Sequence, residues 1–252
     1  MRVLDESADI ETRYGGGFVQ SIDGLAGGSE DGRTVDWFFS VNGVVAELGS
    51  AEFPVAAGDT VWWDHRDWTD AMEIGAVVGA YPAPMSTGYG DEDWPVRIDC
   101  LSGPTACEVV RKQLDNAGVE AEISPGPGEP SGDVIRFVVG TADAISNDEE
   151  AGRLDLAPSG SGVFARFEQP LGSDGPLTLI GLDERGEEAE RFGPDAGLVA
   201  ATRRNDGPPV WIITGGTDDG VEAAASALTP DDLEHRYAAA VSAGQITSLP
   251  LP

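Results

Sequence analysis

Lysine is almost missing from this chain: Lys112 is the only one, and every other basic residue is an arginine. Fifteen basic residues face 45 acidic ones, for a formal net charge of -30. Such a surface repels phosphate backbones and anionic bilayers, which excludes nucleic acid as a partner. The acids are scattered and not blocked, so they read as a solvated acidic surface before they read as a dock for a cationic partner. Histidine is also scarce. His65 and His235 are far apart in sequence, which leaves a Ser-His-Asp set without support. Cys100 and Cys107 are the only cysteines. With no histidine nearby they offer too few ligands for zinc. Cys107 falls about a turn into a helix, so a disulfide back to the preceding strand end is sterically open. Buried thiols are the alternative, and the compartment decides between them. No apolar run of about 20 residues exists, which excludes a transmembrane helix, and no signal peptide opens the chain.

What is present supports a folded protein, with 40% hydrophobic residues over 252 positions. Residues 1–84 read as a small β-rich module. Val35–Val41 is a strand, Asn42-Gly43 a two-residue hairpin turn, Val44–Leu48 the return, and Thr60–Asp64 a further strand. Residues 85–95, small and acidic, read as a linker. From Val96 strands alternate with helices. Strands are expected at Val96–Asp99, Val134–Val139, Val163–Phe167, Leu177–Leu182 and Val210–Thr214. Helices are expected at Thr105–Ala117 and 218–228, and 124–133 reads as a loop. The expected class is therefore α+β, with an α/β domain of mixed sheet over 96–252.

Several stretches invite chemistry and fail on inspection. Gly215–Gly220 opens a helix after a strand, yet its spacing misses the dinucleotide fingerprint and it has no Walker lysine. Asp218 and Asp219 stand where a phosphate needs positive potential, and suit the first turn of a helix instead. Ser159–Gly162 precedes a strand, whereas a hydrolase elbow sits between strand and helix. Asn147–Glu150 and Asp64–Asp70 match no EF-hand loop and read as solvated acids, so no metal site is expected.

The most telling stretch is 14–68. It contains Gly15-Gly16-Gly17, Trp37-Phe38-Phe39, and three tryptophans within seven residues, Trp62, Trp63 and Trp68. Alternation along a strand sends Val61 and Trp63 to one face and Trp62 and Asp64 to the other. Either both faces are core, or one presents rings beside the glycines as a platform for a planar or sugar-like ligand.

Tyr14–Gly24 (YGGGFVQSIDG), Trp37–Gly43 (WFFSVNG) and Gly58–Trp63 (GDTVWW) resemble, in that order, the transcobalamin-like C-terminal domain family. This is a β-grasp-like module found in vitamin B12 carriers and in bacterial surface proteins. The resemblance covers about a third of the chain. Family members have a strand and helix before this point. Met1–Asp5 resembles the later part of that helix, so the first strand and any export signal are expected upstream of Met1. The resemblance implies an extracellular or cell-surface, lipid-anchored or secreted protein, which favours the Cys100–Cys107 disulfide. It implies a non-enzymatic ligand-binding role in uptake, beside a membrane transporter, with a corrinoid such as cobalamin as candidate ligand and no catalytic cofactor. The expected lining is Tyr14, Phe18, Gln20, Trp37, Phe39, Trp62, His65 and Trp68. The alternative is a structural or adhesive surface module that makes protein contacts. Residues 96–252 resemble a region that accompanies the module in high-GC Gram-positive proteins, with no chemistry attached.

Overall fold

The computed structural model describes residues 2–72, 74–126, 133–170, 172 and 175–252, and its class is α+β, as expected. A one-turn helix α1 (Arg2–Asp5) precedes β1 (Ile10–Arg13), β2 (Phe18–Ile22) and β3 (Leu25–Ala26), which form an antiparallel sheet in that order. β4 (Gly28–Glu30), β5 (Arg33–Val41), β6 (Val44–Val45) and β7 (Val61–Asp67) make a second antiparallel sheet, in which β5 pairs with all three others. Asn42 and Gly43 take φ of 54° and 78°, the left-handed pair that a tight hairpin turn requires. The return strand expected over Val44–Leu48 stops after two residues. Val44 bridges to Ala76 and the Val45 amide donates to the Gly75 carbonyl, so this chain leaves β5 for a different neighbour. β7 pairs with the opposite edge of β5, from Val41 back to Val35, and runs three residues beyond the expected Asp64.

The rest of the chain runs in order through β8 (Val96–Cys100), α2 (Pro104–Asn116), β9 (Ala121–Pro125), β10 (Ile135–Thr141), α3 (Ala142–Ile145), β11 (Ala165–Glu168), β12 (Thr178–Leu182), β13 (Glu188–Arg191), β14 (Gly197–Thr202), β15 (Val210–Gly215), α4 (Asp218–Ser226), α5 (Pro230–Leu233), β16 (Ala238–Ser242) and β17 (Gln245–Leu249). Seven of these strands form one mixed sheet in the order β17-β16-β14-β15-β10-β8-β9. It is parallel from β15 to β9 and antiparallel elsewhere. β11, β12 and β13 form a separate antiparallel sheet. β9 occupies part of the expected 124–133 loop, of which 127–132 lie outside the described residues.

The large sheet is buried on both faces, and strand alternation divides its residues between them. Phe137, Val139, Trp211 and Ile213 face α2 and α4, with Cys107, Val110, Leu114, Val221 and Ala225 packed against them. Val138, Ile212, Leu198 and Ala200 face the other way, toward Leu154, Leu179, Ile180 and Leu182. Pro104 at the first turn and Gly118 (φ 77°) bound α2, and the Val119 amide closes its end on the Leu114 carbonyl. Thr217 caps α4 by accepting from the Gly220 amide, and Asp218 and Asp219 lie in its first turn, as the helix dipole favours.

Residues 85–95 do not hang free. Met85 and Trp94 are buried in the helix-side core, and Tyr89 stacks near Trp94 with ring centroids 6.2 Å apart. Small size and acidity describe the exposed residues of this stretch, whereas its three large apolar side chains decide where it goes. Just before it, the Val78 amide donates to Tyr237 and the His235 amide to Gly79, tying the segment to the start of β16. Gly79 permits that approach: a Cβ there would lie 2.8 Å from the Arg236 amide nitrogen.

Beneath the sheet's second face Arg136 bridges two carboxylates. Its Nε donates to Asp99 Oδ2 at 2.7 Å and its Nη2 to Asp148. Burial alone would raise the Asp148 carboxyl, but Arg136 and the amides of Ala151 and Glu150 hold it below the ordinary aspartate value. The acids of Asn147–Glu150 are thus partly structural, through Asp148.

Cys100 and Cys107 are disulfide-bonded, with their Cα atoms 6.0 Å apart, joining the end of β8 to α2. The loop so closed spans seven residues of separation, short enough that chain entropy credits the bond with about 2–3 kcal/mol. The Cys100→Ala/Cys107→Ala variant is expected to lose about that much stability in urea denaturation at pH 7. An unchanged midpoint would show that the packing of α2 alone carries this corner.

Candidate functional site

The β5–β7 register fixes the site. Trp37 lies opposite His65, Phe38 opposite Asp64, Phe39 opposite Trp63 and Ser40 opposite Trp62. One face of this sheet therefore carries Val35, Trp37, Phe39, Val61, Trp63 and His65, and the other carries Asp36, Phe38, Trp62, Asp64 and Arg66. Both are covered. On the first, Phe39 stacks on Trp63 at 4.9 Å and Phe53 abuts Phe39 edge-on at 6.3 Å. A cavity of about 220 Å³ remains there, lined mainly by Val3, Leu4, Phe39, Val55, Val61 and Trp63. On the second, Trp62 packs beside Tyr237 at 5.2 Å and joins the large sheet's core.

The eight residues expected to line a ligand are not gathered in one cavity. Gln20, Trp37 and His65 turn to successive backbone carbonyls, those of Gly27 (3.1 Å), Leu25 (2.8 Å) and Ala26 (3.2 Å), and so stitch the β3–β4 crossing to the sheet. Trp68 donates from Nε1 to Asp36 Oδ2 at 2.9 Å. Phe18 is half-buried, and Tyr14 projects with 88% of its surface exposed. Phe39 belongs to the first-face cluster and Trp62 to the second.

A larger cavity, about 400 Å³, opens on the second face. Phe38 and Arg66 form one wall, Val45, Ala46 and Glu47 with Met72, Ile74 and Gly75 contribute others, and Arg203 and Asn205 close it from the loop after β14. Gly75 is needed here, because a Cβ would fall 2.5 Å from the Arg203 carbonyl oxygen. Met72 is 64% exposed at the mouth. Arg203 is fixed: its side chain is only 5% exposed, Nη1 pairs with Glu47 at 2.9 Å, and Nε donates to the Gly207 carbonyl at 2.6 Å. The Glu47 carboxyl is pushed up, first by the neighbouring Asp206 carboxyl and then by burial, with Arg203 opposing.

Arg66 is the less settled cation. Its guanidinium lies 4.1 Å over the Phe38 ring, an attraction of about 0.5–2 kcal/mol. Nη1 reaches Asp64 Oδ2 at 3.5 Å. Nε is buried with no acceptor. Behind it, Asp64 and Tyr237 face one another. Burial raises the Asp64 carboxyl, while Tyr237, Arg66 and His65 work to lower it. Burial, then Asp64, drives the Tyr237 hydroxyl well above its usual range.

Among the described residues no group of His, Cys, Asp or Glu is placed to hold a metal ion. The described residues of the cavity lining include no serine, cysteine or histidine. Arginine, phenylalanine and methionine are groups for holding a ligand.

Arg66 is not among the residues expected from the sequence, because that expectation rests mainly on aromatic rings and these lie on both faces. The register was the available signal: if Trp37 and Phe39 share a face, Phe38 and Arg66 share the other. Arg203, 137 positions from Arg66 (203 − 66), left no such trace.

Residues 1–66 match a family described as a domain of unknown function, DUF4430, which spans α1 through Arg66. No curated protein matches the chain.

The raised Asp64 carboxyl has a defined consequence for stability. A group held above its ordinary value favours folding when protonated. That contribution is complete below the ordinary aspartate value of 3.8 and is lost as pH rises through the folded one. Tyr237→Phe removes a group that steadies the ionised form, so it is expected to cost about 1–3 kcal/mol near pH 7. The cost should shrink as pH falls below about 4 and Asp64 becomes protonated in both states. Urea denaturation at pH 7 and pH 3.5 measures this, and an equal loss at both would remove Asp64 from the account.

Proposed function

We propose that the protein is a non-enzymatic ligand-binding protein acting outside the cytoplasm, with the 400 Å³ cavity between β5–β7 and the loop after β14 as its binding site. The cavity carries the reading, since small-molecule sites occupy about 300–1,000 Å³ and are mostly apolar with a few fixed polar groups. The disulfide supports an oxidising compartment. No helix among the described residues is long and apolar enough to cross a membrane, so a transporter would be a separate partner. DUF4430 is associated with transcobalamin-like domains, in line with the resemblance of the first 84 residues, and this makes a corrinoid the first vitamin-type ligand to try. A corrin with its side chains exceeds a cavity of this size. It would enter by one edge and lie across Met72, whereas a smaller ligand would be enclosed.

Two exposed side chains, Val3 and Val55, border the apolar cavity of the first face and favour a second reading, a surface module that makes protein contacts.

Cobalamin titrated into micromolar protein is expected to quench tryptophan fluorescence saturably, through Trp62 and Trp68. Neither quenching nor a shift in the cobalamin spectrum would remove the corrinoid. Sedimentation across a hundredfold concentration range addresses the second reading: a monomer throughout is expected for the ligand binder, and self-association for the contact module.

A further inference from the structure

The cavity's polarity runs against that of the whole molecule. The chain has 45 acids to 15 bases, yet the ten described residues that line this cavity include two arginines and one carboxylate, Glu47. Asp64 and Asp206 stand behind them, beside Arg66 and Glu47 respectively. Buried arginines elsewhere in the structure are well supplied with acceptors. Arg136 has Asp99 and Asp148, and Arg203 has Glu47 and the Gly207 carbonyl. Arg66 differs. Its side chain is only 10% exposed, its one ion pair among the described residues is a long 3.5 Å contact, and, although it shares a hydrogen bond with Tyr237, its buried Nε has no partner. A guanidinium offers five donors in a planar fork, and withholding acceptors from a buried one is costly.

From this we infer that the site takes an organic carboxylate with a compact apolar body, the carboxylate meeting the Arg66 guanidinium and the body lying against Phe38, Val45, Met72 and Ile74. The inference rests on the proposed binding role and specifies its ligand class. The geometry suits it in three respects. A carboxylate matches the planar fork with two acceptor oxygens, as neither a neutral amide nor a single hydroxyl does. Phe38 holds the guanidinium flat from one side, so the fork is pre-oriented and little side-chain freedom is lost on binding. Glu47 pairs with Arg203, and no ion pair among the described residues joins it to Arg66, which leaves Arg66 as the cavity's under-bonded cation. The acidic surroundings repel anions at long range, so affinity has to come from contact at Arg66 and association should quicken as salt rises.

The test compares 4-phenylbutyrate with its neutral amide, 4-phenylbutyramide, on the full chain at pH 7 by ligand-observed NMR and calorimetry. The carboxylate is expected to bind at least about tenfold tighter than the amide, as a charge-assisted pair requires. Arg66→Gln should abolish that preference while leaving amide binding in place. Because the substitution strands Asp64 as an unpaired buried acid, Asp64→Asn/Arg66→Gln serves as the balanced variant and should behave the same way. Met72→Trp, at the mouth, should weaken both ligands. Equal binding of carboxylate and amide, or a preference that survives both Arg66 variants, overturns the carboxylate inference and leaves the cavity as a binding site. Failure of both ligands to bind overturns the inference and removes the cavity as a small-molecule site as well.

Discussion

The antiparallel register between β5 and β7 is the constraint on which the rest depends. Pairing Trp37 with His65 and Phe38 with Asp64 sends alternate residues of two aromatic strands to opposite faces. A slip of one position would carry Arg66 to the face of Trp37 and Phe39, and bring His65 and Trp63 against Tyr237. The register is held at the turn end by Asn42. Its Nδ2 donates to Asp59 and to the Gly88 carbonyl, both at 2.8 Å, while its side-chain oxygen accepts from the Thr60 amide. At the far end Arg33 pairs with Asp67, and the Trp68 amide bonds the Thr34 carbonyl. Between these two anchors the sheet is covered on both faces, so its rings serve as packing before they can serve as a platform.

Arginine is used sparingly, and its placements divide by how completely each is satisfied. Arg136, bracketed by Asp99 and Asp148, ties β10 to β8 and to the turn after α3. Removing one partner from such a buried set leaves an uncompensated charge, which is why networks of this kind are structural. Arg203 holds the loop after β14 against Glu47 and lies 5.5 Å from the centre of the Tyr89 ring. That contact links the residue 85–95 stretch to the wall of the cavity. Arg66 is held from below by Phe38 and from behind by Asp64 and Tyr237, with its buried Nε unmet. In a chain this acidic, a buried cation short of acceptors is the feature that packing alone does not explain.

Much of the α/β half could be read directly from the chain. Nearly continuous apolar runs such as Val134–Val139, broken only by Arg136, and Val210–Thr214 have little polar face to show, and both are inner strands of a sheet buried on two sides. Cys107, Val110 and Leu114 repeat at helical spacing and lie in the core as that spacing requires. The strands that escaped notice have weak local signals. β16 is Ala238–Ser242, alanine-rich and poor in intrinsic strand preference, and it is a strand because β14 and β17 pair with it on either side. Charged β13 is fully exposed along its length and is recruited by β12. The site itself was half legible. The aromatic stretch stands out in the sequence, but the expected lining residues lie on both faces, because spacing alone does not tell which face a second layer will cover. Tertiary partners 130 and more positions away, Arg203 and Tyr237, decided that.

These observations change the meaning of the tryptophan-rich segment: the aromatic sheet is a packed wall, and the cavity lies where its Phe38–Arg66 side meets the rest of the chain. The central claim is that β5 and β7 belong to one cooperative core with the large mixed sheet, joined through Trp62, Asp64 and Tyr237. Native-state hydrogen exchange tests this directly. Amides of Phe39, Val41 and Trp62 should exchange with the same opening free energy as those of Val138 and Ile212, and with the same denaturant dependence. A separate, lower-energy opening confined to β5 and β7 would contradict the account, because a sheet that opens alone cannot be holding the wall of the site.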